Sequence, residues 1–120
     1  MTQEELQALC AEWRRLRLQD WDIVVRVKRQ FDMARADAAG HCSCVVALKE
    51  AVISILDVVD WDPDIIKPQD QEMYLVHELL HVHFSQMHDE YNSPVHVEQA
   101  IQKIAEALVA LKREAARKDD

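Results

Sequence analysis

Apolar side chains recur every three or four positions over residues 3–18, where Leu6, Leu9, Trp13 and Leu16 line one side of a predicted amphipathic helix. Thr2 and Glu5 stand three apart at its start, the spacing of a capping box. The period changes at Asp20-Trp21. Trp21, Ile23, Val25 and Val27 alternate with Asp22, Arg26 and Lys28, the pattern of a half-buried strand that only Val24 interrupts. Residues 31–40 form a polar, alanine-rich connection ending in Gly40, the one residue type that takes a positive φ without cost. Apolar runs follow at 41–48 and 51–58, with Lys49-Glu50 between them as either a turn or a continuation. The acidic segment 57–70, carrying Pro63 and Pro68, predicts an exposed loop.

Residues 70–84 read as a helix, with Asp70 and Glu72 placed where the N-terminal dipole favours anions. Leu75, Leu79 and Val82 take one side and Met73, Leu80 and Phe84 another, so this helix is expected to be buried. After a loop at 88–93, Ser93-Pro94 gives an N-cap followed by proline at the first helical position. Val97, Ile101, Ile104, Leu108 and Leu111 supply the core stripe of the last helix, and residues 113–120 are expected to fray as a tail. The order predicts an α+β fold: N-terminal helix, three-stranded sheet, then two helices. There is no internal repeat.

A length of 120 residues predicts one domain over the whole chain, 1–120. The net charge of −8 argues against a nucleic-acid backbone or an anionic membrane surface as the main partner. No apolar run approaches the roughly 18–20 residues of a membrane span, and the acidic start Met1-Thr2-Gln3-Glu4-Glu5 lacks the apolar core of a signal peptide. A cytoplasmic location is the expectation. Three cysteines fit it: Cys42 and Cys44 would share one face of a strand, where they could bind a soft metal with another ligand but where packing is the better account. Trp13, Trp21 and Trp61 are expected in the core or at its edge.

Six histidines are many for this length, and five lie between His77 and His96. His77-Glu78-Leu79-Leu80-His81 is an H-E-x-x-H pattern, expected by chance only roughly 0.02 times in such a composition. On a helix the two imidazoles, four apart, point to one side and can share an ion. Glu78 stands about 100° round from His77, beside the metal without binding it, where a carboxylate can take a proton from a water whose pKa a zinc ion lowers to about 7. The bland reading is two neutral histidines hydrogen-bonded in the core; it needs several buried partners to satisfy them.

A catalytic zinc takes three protein ligands and keeps an open position. His83 points away from the pair. His96 and Glu98 lie on opposite flanks of the last helix's apolar stripe, and helical geometry leaves both open as the third ligand. Tyr91, His88 and His96 are candidates to stabilise an oxyanion. The calcium-like run Asp60-Trp61-Asp62-Pro63-Asp64 fails as an EF-hand, since Ile65 stands where glycine is needed and Gln71 where glutamate is needed.

The H-E-L-L-H run followed by Val97-Glu98-Gln99-Ala100-Ile101 resembles the gluzincin metallopeptidases, whose third ligand is a glutamate on the following helix. The size and element order are similar to the minigluzincins and to small predicted metallopeptidases of phages and bacteria, over roughly residues 13–111. The resemblance implies a minimal zincin-like domain. It implies Zn2+ held by His77, His81 and Glu98, and Glu78 as general base for peptide-bond hydrolysis. It also implies a peptide or protein substrate lying along an edge strand, from 41–48 or 51–58. Gln102 departs from the pattern: gluzincins often carry aspartate four residues after the ligand glutamate. Three other readings compete: a zinc-binding adaptor without turnover, a latent peptidase whose cleft is blocked by residues 114–120 or by a partner, and a hydrolase with a non-peptide substrate.

Overall fold

The computed structural model describes residues 1–35, 38–85 and 94–118. Three helices and a three-stranded mixed sheet run in the order α1 (Gln3–Glu12), β1 (Asp22–Lys28), β2 (Gly40–Val45), β3 (Glu50–Leu56), α2 (Gln71–Phe84) and α3 (Pro94–Lys118). The α+β class and the element order agree with the sequence reading. No described helix is long and apolar enough to cross a membrane.

The capping box forms at α1: the Glu5 amide donates to Thr2 Oγ1 at 3.1 Å and the Thr2 amide to Glu5 Oε1 at 3.4 Å. The helix stops at Glu12 rather than at residue 18. Trp13–Leu16 tightens to a 3-10 turn and Arg17 takes a φ of 67°. Trp13 and Leu18 would lie about 140° apart on a continuous α-helix; the reversal lets both, with Trp21, enter the core.

In the sheet β3 is central, parallel to β1 and antiparallel to β2. Ile23 and Val25 of β1 share the inner face with Ala51, Ile53 and Ile55 of β3, all buried. Val24 turns outward and is half exposed, so the strand keeps its alternation. The two apolar runs are shorter strands than expected. Val46–Leu48 and Val58–Asp60 are 3-10 turns, and Lys49, at φ 52°, makes the β2–β3 connection a turn. Asp57 ends β3 by accepting the Val59 amide at 3.0 Å.

Each edge of the sheet is handled differently. Gln7 of α1 lies along the outer edge of β1 like a short peptide, donating to Ile23 O at 3.0 Å and accepting from Val25 N at 2.8 Å. Gln3 accepts from Val27 N. Nothing among the described residues pairs with the outer edge of β2. Of the two runs considered for an edge strand, 51–58 is excluded, because its strand is the central one.

Helix α2 is sandwiched between the sheet and α3, with Leu75, Val76, Leu79, Leu80 and Val82 buried. The stripe of α3 is rotated from the predicted one. Ile101, Ala105 and Val109 are buried, while Ile104 and Leu111 face outward. The rotation turns Glu98 and Gln102 toward α2. The predicted fraying from residue 113 is also corrected, since α3 runs on to Lys118. Arg113 holds Asp70 through two bonds of 2.9 Å, and Lys112 binds Glu72, which also accepts from Trp13 Nε1 at 2.9 Å. Trp13 and Trp21 are buried as expected; Trp61 is half-buried against Tyr74, with ring centroids 5.9 Å apart.

Arg113 holds the Asp70 carboxyl below its ordinary value of 3.8. Burial pushes the Glu72 carboxyl up, but Lys112, Trp13 and Arg113 together hold it below its ordinary 4.5. Carboxyls lower in the folded than in the unfolded chain add stability that is complete above those ordinary values. That stability is lost as pH falls through the folded values. Thermal melts from neutral to strongly acid pH should therefore show a fall in Tm beginning at about pH 4. The Asp70→Asn, Glu72→Gln double variant should melt lower at neutral pH and show a flatter acid limb.

Candidate metal centre

Helix α2 begins at Asp70, whose side chain accepts the Met73 amide at 3.2 Å. From that start the helical period directs His77 and His81 to the α3-facing side, with ring centroids 5.0 Å apart. Glu98, in the first turns of α3, stands between them: Oε2 is 3.0 Å from His77 Nε2 and Oε1 is 2.8 Å from His81 Nε2. One ligand atom from each of the three residues lies within 4.8 Å of the others, the single such group among the described residues.

The hydrogen bonding of His77 bears on what this group can hold. Gln102 Oε1 lies 2.8 Å from His77 Nδ1, and Gln102 Nε2 donates to Glu106 Oε1 at 3.1 Å, which fixes the amide oxygen toward the ring. His77 thus faces an acceptor at both nitrogens. A neutral imidazole has one N–H; with that proton on Nδ1, toward Gln102, the Nε2 lone pair faces the Glu98 carboxylate and is free to share a cation with it. Burial, ahead of the opposing pull of Glu98, lowers the pKa of His81 and favours its neutral, ligating form. Two imidazoles and a carboxylate suit a borderline divalent ion such as zinc.

Glu78 is buried at 7% exposure beside this cluster. Among the described residues its carboxylate takes no hydrogen bond. Burial, opposed by His77 and reinforced by Glu98, pushes its pKa up to about 7. A Cβ added at Gly40 would lie 3.0 Å from Glu78 Oε2. Gly40 does not adopt the positive φ expected of it. A side chain there would press on the Glu78 carboxylate, a close approach that the presence of a single glycine in the chain hints at only in hindsight.

His77, Glu78, His81, Glu98 and Gln102 line one open cavity of about 1010 Å³, whose opposite wall is the start of β2 with Gly40, Cys42 and Cys44. Of the two candidates for a third ligand, Glu98 is in the group and His96 is exposed on α3 outside it. His83, half-buried on α2, is also outside it. His88 and Tyr91 lie outside the described residues. Comparison with protein-family models, curated proteins and solved structures finds no match to this chain, so the site stands on its own geometry.

Removing the side-chain oxygen that orients His77 should loosen the group without unmaking it. Gln102→Leu is expected to weaken the affinity for an added divalent transition metal by about 10–100-fold. Competition against a chromophoric chelator measures this, and an unchanged affinity would remove Gln102 from the site.

Proposed function

We propose that this chain is a minimal zincin-like, gluzincin-type zinc metallopeptidase acting on peptide or protein substrates, and that it works in the cytoplasm. The observation that carries the reading is the meeting of His77, His81 and Glu98 from two helices, with Glu78 buried beside them and, among the described residues, taking no hydrogen bond. A zinc ion there would supply Lewis acidity toward the scissile carbonyl and make a water acidic enough to lose a proton near neutral pH.

The chain's own residues do the rest. Gln102 holds the His77 ring so that Nε2 faces Glu98. Glu78, with its pKa near neutrality, takes a proton from the attacking water and later gives it to the leaving amine. Gly40 keeps the strand backbone close to the Glu78 carboxylate and lets it stay in the cavity wall. The open edge of β2 offers backbone groups to an extended peptide running past the site.

A cleft blocked by residues 114–118 finds no support. They stand about 24 Å or more along α3 from Glu98 at 1.5 Å per residue, and none lines the cavity. A pure binding module leaves Glu78 without a role: its carboxylate sits in the cavity wall and takes no hydrogen bond among the described residues.

Elemental analysis of the purified protein tests the site, and peptide cleavage followed by mass spectrometry tests the activity. One zinc per chain is expected, lost in Glu98→Ala and kept in His96→Ala. Glu78→Gln should keep the metal and lose about 10²–10⁴-fold in rate. A protein that takes up no zinc, or a Glu78→Gln variant as active as wild type, would sink the reading.

A further inference from the structure

Cys42 and Cys44 lie outside the His77, His81 and Glu98 group and have no part in the proposed hydrolysis. Alternation along β2 directs both side chains to the same face of the strand, into the cavity wall. Their sulfurs stand 3.2 Å apart. Both are partly exposed, whereas Cys10 is sealed in the core at 2% exposure. None of the three forms a disulfide.

Two neighbouring thiols have two chemical uses, and the strand discriminates between them. A disulfide needs the sulfurs to close to about 2.05 Å, with Cα atoms usually about 4.4–6.8 Å apart. Residues two apart in a strand are held near the upper end of that range, at about 6.6 Å, so closure works against the extended backbone that pairs β2 with β3. Chelation asks for the opposite movement. Two thiolates on one tetrahedral ion, with metal–sulfur bonds of about 2.3 Å for zinc and longer ones for a larger soft ion, have their sulfurs about 3.8 Å or more apart. Opening by about 0.6 Å needs only small side-chain rotations, and solvent can reach the remaining coordination positions.

We propose that Cys42 and Cys44 form a second metal site, a dithiolate chelate for a soft, thiophilic ion, distinct from the His77, His81 and Glu98 group. On binding, each thiol gives its proton to solvent and each sulfur forms one bond to the ion, with no change of oxidation state. Ions of this class, of which Cd2+ is a convenient probe, favour thiolate over imidazole and carboxylate, so the two sites are separable by chemistry. The inference does not depend on the peptidase reading.

The test is a titration of the reduced, folded protein with Cd2+, followed by the ultraviolet thiolate-to-metal charge-transfer band, which imidazole and carboxylate ligands do not produce. The band should saturate at one equivalent of thiolate-bound Cd2+, survive in Glu98→Ala, and vanish in Cys42→Ser and in Cys44→Ser. Native alkylation of the two partly exposed thiols, with Cys10 protected by burial, should abolish it without any substitution. A band that persists in both serine variants, no band in the wild type, or an intramolecular disulfide forming instead under a mild thiol–disulfide buffer would overturn the proposal.

Discussion

The close packing of α3 along α2 is the contact on which the rest of the molecule depends. Ala105 is fully buried and adds little bulk, letting the helices approach. Arg113 and Lys112 tie α3 to Asp70 and Glu72 at the start of α2. Two turns further along α2, Glu98 and Gln102 engage His77 and His81. The charged clamp and the metal group therefore act on one helix pair from different points, and α3 cannot rotate on its axis without disturbing both. A rotation that buried Ile104 and Leu111 would cover more apolar surface, yet it would carry Glu98 away from the histidines. The observed helix leaves those two side chains in water.

Much of this was legible in the chain because periodicity and local chemistry agree. The capping box, the alternation of β1, the buried α2 and the placement of His77 and His81 on one side all follow from spacing alone. What stayed hidden depends on contacts far apart in sequence. The core stripe of α3 was misplaced because Ile104 and Leu111 fit a helical period as well as Ala105 and Val109 do. Only the charged partners on α2 break the tie. The same partners anchor Arg113 at the start of a stretch that composition alone marks as a frayed tail. At Trp13 the helical period continues but the core does not, and the chain turns where burial requires it.

The choice of Glu98 over His96 shows the limit of helical geometry used by itself. Both residues flank the same predicted stripe, two positions apart and nearly opposite in direction. Rotating α3 by its ion pairs brings one flank to α2 and sends the other into solvent. A sequence read one helix at a time cannot contain that information, because it belongs to the pair.

The two edges of the sheet complete the argument about where chemistry can occur. An unpaired strand edge is a liability for a small domain, and at β1 the chain removes it with the side-chain amides of Gln7 and Gln3. At β2 no described residue does so. That same strand begins at Gly40, in contact with the Glu78 carboxylate, and continues through the two thiols of the cavity wall. Any partner that adds to the free edge of β2 must bear on the backbone against which Glu78 rests. The strand edge that no described residue caps is therefore mechanically coupled to the Glu78 carboxylate, and covering that edge would cost this site its access as well as its strand.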